Sequence, residues 1–191
     1  DICVKIVGFT SRRFITACGG VTQVLGKALI EAGVAGRFGI PVSEPLTRVV
    51  LETDAGPAEL QIRVSDGQCL GTVTSMDAFV RECYERGVYR MDLAGVEAMR
   101  VGKFLVLNAN NVREKHPEAD FERMDEDSKR VLLELQDQFK ERVGRENLDF
   151  AVYDWRPGFS GDVRAVFPHN FRNGHIEPAC GTGTVAIGIV C

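Results

Sequence analysis

The chain has 191 residues, 45% of them apolar and 26% charged, with a formal net charge of −4. That composition is ordinary for a globular domain or a pair of small ones and excludes bulk disorder. No basic cluster is offered to a nucleic-acid backbone, and no apolar run reaches the roughly 20 residues of a membrane-spanning helix, so neither nucleic acid nor membrane is an expected partner.

Taken in chain order, Val4 to Phe9 reads as a short strand. Cys18 then opens a helix in which Val21, Val24, Leu25, Ala28, Leu29 and Ala32 recur at helical spacing, with Gly33 placed to end it. Phe38-Gly-Ile-Pro-Val is loop. Thr47 to Thr53 and Ala58 to Ser65 flank a turn at Asp54-Ala-Gly-Pro, and Asp66-Gly67 turns the chain into Cys69 to Thr74. Ser75 is placed to cap a short helix carrying Phe79, Val80 and Cys83, closed by Gly87. Lys103 to Asn108 reads as a strand and Asn110 to Asp125 as polar loop. A helix from about Asp127 to Val143 aligns Val131, Leu132, Leu135, Phe139 and Val143. Two strands follow, Asp149 to Asp154 and Val163 to Pro168. The apolar segment Val185 to Val190 reads as a helix buried on all sides.

Strand runs outnumber helices, and the division falls near Thr74, giving half-domains 1–73 and 74–191. The chain starts at Asp1 without a methionine and stops inside an apolar run, so it reads as truncated at both ends. Its six cysteines are Cys3, Cys18, Cys69, Cys83, Cys180 and Cys191, with no C-x-x-C among them. Neither a zinc ribbon nor a disulfide scaffold fits that spread, which points to reduced thiols in the cytoplasm. Cys3, Cys69 and Cys83 read as small buried apolar groups. His169, His175 and Cys180 match no ligand spacing, so no metal is expected.

One short pattern occurs twice. Ala17-Cys18-Gly19-Gly20-Val21-Thr22 and Ala179-Cys180-Gly181-Thr182-Gly183-Thr184 both read A-C-G-x-x-T, and both open a helical segment. A single Gly-rich turn before a helix is common in structure without function; two matched copies point to two homologous halves facing one cleft. The first N–H groups of a helix have no internal partner and carry partial positive charge, and glycine lets an anion approach them. The field at such an end favours the thiolate of a cysteine in the first turn. Two such ends would hold one carboxylate and flank its neighbouring carbon with two sulfurs, one to remove a proton and one to return it.

These motifs resemble the diaminopimelate epimerase-like superfamily, which includes proline racemase, hydroxyproline epimerase and the 2-methylaconitate-type isomerases. Cys180-Gly-Thr-Gly-Thr is most similar to the C-G-T-G-T of proline racemases. Thr47 to Val64 resembles the hairpin after the first half-site. Lys103-Phe-Leu-Val-Leu-Asn-Ala-Asn-Asn and Glu146-Asn-Leu-Asp-Phe resemble two strands that carry substrate-contacting asparagines. The resemblance implies an α+β fold of two pseudo-symmetric halves, each a curved, mostly antiparallel sheet around a central helix. It implies Cys18 and Cys180 as catalytic acid and base, with Gly19, Gly20, Asn110, Asn147, Gly181, Thr182 and Gly183 binding substrate, and no cofactor. A small carboxylic acid is then the expected partner, with homodimerisation left open.

Cys18-Gly19-Gly20 stands where diaminopimelate epimerase has C-G-N, and Phe171 stands beside Arg172 where that enzyme has a Glu-Arg pair, so diaminopimelate is not the expected substrate. The leading function is a cofactor-independent racemase or epimerase. Asn108-Ala-Asn-Asn resembles the N-A-A-D of the 2-methylaconitate-type isomerases, which makes allylic isomerisation of an unsaturated polycarboxylate the alternative. A non-catalytic carboxylate-binding relative, or a redox protein joining Cys18 to Cys180, are the readings from other classes.

Overall fold

The computed structural model describes residues 19–53, 56–122, 125–143, 149–155, 161–168, 176–177 and 179–191, without the side chains of 140 and 143, and the backbone of three short strands before residue 19. The chain forms two compact units, Asp1–Met76 and Asp77–Cys191.

The first unit contains β1 (Ile2–Cys3), β2 (Ile6–Gly8), β3 (Arg13–Ile15), α1 (Gly19–Glu31), α2 (Val34–Arg37), β4 (Leu46–Thr53), β5 (Gly56–Ser65) and β6 (Gln68–Thr74). Its four-stranded sheet runs β1-β4-β5-β6, with β1 parallel to β4 and the rest antiparallel; β2 and β3 pair with each other. Period-two alternation explains the sheet. Thr47, Val49, Leu51, Leu60, Ile62 and Val64 are buried, while Arg48, Glu52, Glu59, Gln61 and Arg63 between them are exposed. Asp66 and Gly67, at φ 51° and 70°, make the tight turn from β5 into β6. Gly33, at φ 65°, follows α1 where the sequence reading placed it.

The buried stripe of α1 differs from the periodic reading. Thr22, Gly26 and Leu29 face the sheet, whereas Val21 and Val24 are exposed. The contact at Gly26 accounts for this rotation. A Cβ there would stand 2.2 Å from Thr72 Oγ1, so β6 and α1 approach through a site with no side chain.

The second unit holds α3 (Asp77–Arg86), β7 (Val88–Leu93), β8 (Val96–Val101), β9 (Phe104–Asn108), α4 (Ala109–Lys115), α5 (Glu126–Val143), β10 (Asp149–Asp154), β11 (Arg164–Val166) and α6 (Gly181–Val190). Its sheet runs β11-β10-β9-β8-β7, parallel only between β9 and β10. Helices cover both faces, which is why β9 is apolar without interruption from Phe104 to Leu107. Phe104 and Val106 pack with Ala151, Phe167, Ala186 and Ile187 on the α6 side. Leu105 and Leu107 pack with Val112, Val131, Leu132, Leu135 and Phe139 on the α4 and α5 side. The α5 helix starts at Glu126, and Asp125 just before it accepts hydrogen bonds from Ser128 N at 2.9 Å and Ser128 Oγ at 2.7 Å. The chain is thus α+β, with mixed sheets, as the motifs implied. No helix among the described residues is long and apolar enough to cross a membrane.

The structure adds one hairpin and corrects two local expectations. Arg90, Asp92, Glu97 and Arg100 interrupt the apolar positions of β7 and β8, so their hairpin carries no periodic signal. Its signal is Ala94-Gly95, both at positive φ (50° and 85°), with Gly95 N donating to Asp92 Oδ1 at 3.0 Å. The start of the polar segment after Asn108 is helix α4 rather than loop, since Asn108 caps it and accepts from Asn110 N at 2.9 Å. Finally, α6 is not buried all round. Gly183, Ala186 and Ile187 are buried, but Thr184 and Gly188 are exposed, small or polar residues that cost little to leave in water.

Gly102, between β8 and β9, has φ 58°, and a Cβ on it would stand 2.9 Å from the Cα of Cys83, which is backbone and cannot rotate away. Gly102→Ala is expected to destabilise the fold by about 1–3 kcal/mol, read from the urea unfolding midpoint. Gly67→Ala is the control: its φ of 70° carries the backbone strain, but nothing lies within 4 Å, so the loss there is smaller.

Candidate active site

The second copy of the repeated motif is fully described. Cys180 is the N-cap of α6, with extended backbone (φ −135°, ψ 115°). Its Sγ accepts a hydrogen bond from Gly183 N at 3.4 Å, so sulfur takes the place that a serine, threonine or aspartate oxygen usually holds at a helix start. Thr182 Oγ1 lies 3.4 Å from the same sulfur. The carbonyl of Cys180 accepts from Thr184 N at 2.9 Å and from Thr184 Oγ1 at 2.8 Å. Helix geometry leaves the N–H groups of Gly181 and Thr182 without an intrahelical acceptor, and no acceptor for them occurs among the described residues. The thiol is half-buried and packs against the cluster of Phe167, Ala186 and Ile187. A half-covered sulfur beside two uncommitted amides can meet a carboxylate and the carbon attached to it.

Close packing holds this helix start in place. A Cβ on Gly183 would stand 2.5 Å from Cδ1 and Cε1 of Phe167. Phe167 is itself fastened, because its carbonyl accepts from Glu177 N at 2.9 Å and its ring is buried. Gly183 is therefore sterically required as well as suited to an anion site.

The first copy lies partly outside the described residues, which exclude Cys18. Helix α1 begins at Gly19, one residue after that cysteine, as α6 begins one residue after Cys180. Gly19 is half-buried and Gly20 exposed, and a Cβ on Gly20 would meet nothing within 4 Å. Asn147, His169, Arg172 and His175 also lie outside the described residues.

Asn110 is not joined to the Cys180 half-site. It is exposed in the first turn of α4, and its Oδ1 accepts from Arg113 Nη1 at 3.0 Å. Arg113 Nη2 bonds Asp154 Oδ2 at 2.7 Å, a largely buried ion pair. By strand alternation Asp154 shares the side of Phe150 and Val152, the sheet face opposite α6. Asn108 thus starts α4, and Asn110 contacts the arginine of this ion pair.

A cavity of about 210 Å³ lies at the other end of α6, lined by Arg90, Glu97, Asn108, Asn111, Tyr153 and Val190 among others. Val190 is ten residues beyond Cys180, about 15 Å along a helix, so cavity and thiol are separate features. Burial pushes the Tyr153 hydroxyl up from its usual range, and a hydrogen bond to Asn108 partly offsets this. Residues from four strands and two helices build this cavity, so no local sequence pattern announces it. Among the described residues no cluster of three metal-ligating side chains occurs, and Cys69, Cys83, Cys180 and Cys191 are free thiols.

The Gly183–Phe167 contact predicts a coupled pair. Gly183→Ala alone is expected to cost about 1–3 kcal/mol, and less in a Phe167→Leu background, where the ring edge is gone. Equilibrium unfolding of the double-mutant cycle reads the coupling; additive losses would show that the ring does not constrain the helix start.

No protein-family model and no characterised protein sequence matches the chain. Solved structures do. A hydroxyproline epimerase from Agrobacterium vitis, with bound trans-4-hydroxy-L-proline, superposes with a TM-score of 0.58 at 16% identity, covering 98% of this chain and 54% of that one. A probable proline racemase from Agrobacterium radiobacter K84, with bound carbonate, gives a TM-score of 0.56 at 14% identity, covering 98% of this chain and 56% of that one. The chain spans about half the length of each, and across nearly all of its own length it has the fold of the proline racemase and hydroxyproline epimerase structures.

Proposed function

We propose that this chain is part of a cofactor-independent racemase or epimerase that inverts a carbon next to a carboxylate, with Cys18 and Cys180 as its paired acid and base. The observation that carries the reading is Cys180 at the cap of α6, half-exposed, beside the uncommitted amides of Gly181 and Thr182. It gains support from a fold shared with structures named as an epimerase and a probable racemase. The twin motif at Cys18 supplies the second thiol.

The chemistry follows from these groups. The substrate carboxylate accepts hydrogen bonds from the amides at the helix starts, Gly181, Thr182 and their counterparts at Gly19 and Gly20. One cysteine, as thiolate, takes the proton from the adjacent carbon and becomes a thiol. The electron pair of the broken C–H bond delocalises into the carboxylate, where the amides stabilise the added charge. The other cysteine, as thiol, returns a proton to the opposite face and becomes a thiolate. The product is the mirror-image centre, and the two sulfurs have exchanged protonation states. An amino acid or a similar small carboxylate is the substrate class. The allylic alternative rests on Asn108-Ala-Asn-Asn, of which Asn108 caps α4 and Asn110 accepts from Arg113.

In D₂O the reaction is expected to place deuterium at the inverted centre as product forms, since a thiol proton equilibrates with solvent and a substrate C–H does not. Cys18→Ser or Cys180→Ser is expected to slow turnover on the order of 10²–10⁴-fold, because serine keeps the shape but is a far weaker base. A double Cys→Ser variant with wild-type turnover would overturn the mechanism.

Thiol reactivity gives a second test. Cys83 is buried, and burial pushes its thiol up from the ordinary range, so it stays protonated and covered near neutral pH. Mass-mapped iodoacetamide labelling of the native protein is expected to modify Cys180 well before Cys83. Equal rates at the two would remove the case for a selectively accessible Cys180.

A further inference from the structure

We propose that the hydroxyl of Thr182 is a positioning group for the Cys180 sulfur, holding it in one orientation through both protonation states. This rests on the acid–base reading of Cys180 and deepens it. Among the described residues, two polar groups contact the sulfur: Gly183 N at 3.4 Å and Thr182 Oγ1 at 3.4 Å. They are not equivalent. A backbone N–H only donates, so it favours a thiolate and has little to offer a thiol. A hydroxyl both donates and accepts. With a thiol, Oγ1 accepts from S–H; with a thiolate, the O–H turns and donates to sulfur. The same O···S contact therefore survives the proton transfer. A cysteine that alternates between acid and base in successive turnovers needs such a partner, because a sulfur that changes rotamer on protonation loses its aim at the substrate carbon.

The neighbouring threonine does not share the role. Thr184 Oγ1 donates to the carbonyl of Cys180 at 2.8 Å, a backbone contact that fastens the helix start and leaves the sulfur alone. Thr182 Oγ1 is held close by the short reach between N-cap and second helical residue. Its contact is with sulfur rather than with substrate, so Thr182 acts through Cys180, while its own backbone N–H remains available to the carboxylate.

The test compares Thr182→Val, which keeps the shape and removes the hydroxyl, with Thr182→Ser, which restores it; Thr182→Ala replaces the valine variant if that one fails to fold. In the full chain, Thr182→Val is expected to lower kcat about tenfold or more with KM changed less than about threefold, and Thr182→Ser to recover most of kcat. Thermal unfolding should stay within a few degrees of wild type in both. The rate of iodoacetamide alkylation at Cys180 supplies a readout that needs no substrate. It is expected to change severalfold in Thr182→Val and to return in Thr182→Ser. Unchanged alkylation and kcat in Thr182→Val would overturn the proposal, as would a loss that serine does not restore. If no carboxylate is turned over by the wild type, the racemase reading fails, while the alkylation comparison still decides whether Thr182 governs the sulfur.

Discussion

The second unit depends on burial of both faces of β9. Phe104 and Val106 point one way, Leu105 and Leu107 the other, and all four are buried. A strand in that position cannot tolerate water on either side, so helices must cover both: α4 and α5 on one face, α3 and α6 on the other. The burial of one such side chain is worth about 1.5–3 kcal/mol, and the four together outweigh any single polar interaction in the unit. The location of α6 follows from this requirement, and with it the location of Cys180. The thiol is held by a helix that the core already demands.

Within that frame, the start of α6 is specified by two short-range constraints acting in opposite directions. Phe167 presses on the helix from the sheet, which only glycine at position 183 allows. Cys180 closes the helix end from outside by accepting the Gly183 N–H, a weaker cap than an oxygen would make, since sulfur is a poor acceptor when neutral. An aspartate or serine at that position would stabilise the helix more. Retaining a thiol there is the kind of local departure from the best stabilising choice that is characteristic of functional sites.

The asparagines after β9 show the opposite outcome. Asn108, Asn110, Arg113 and Asp154 form a continuous polar chain on and beside α4, with a 2.7 Å ion pair at its buried end. Arg113 also lies 5.7 Å over the ring of Phe121, so its guanidinium contacts both a carboxylate and an aromatic ring. These groups satisfy one another, and the arrangement orders the turn from strand to helix. Two of the motif's three asparagines, Asn108 and Asn110, make local structural bonds.

What the sequence alone determined is what local physics encodes. Alternation at Thr47, Val49 and Leu51, the positive-φ turn at Asp66-Gly67, the apolar stripe of α5 and the two helix starts after Cys18 and Cys180 are all legible, because strand period, turn conformation and caps involve residues close together in the chain. The α+β class came from the resemblance to the racemase family carried by the twinned A-C-G-x-x-T motif and the segments matched around it. Tertiary structure alone decided the rotation of α1, through Gly26 against Thr72, the need for glycine at 183, through Phe167, and the engagement of Asn110 with Arg113 and of Arg113 with Asp154. Most of these pair residues 16 or more positions apart, and even Asn110 with Arg113 depends on α4 forming where composition indicated loop. Such contacts are selected by the shape of the packed chain, and shape is not a periodic property of sequence.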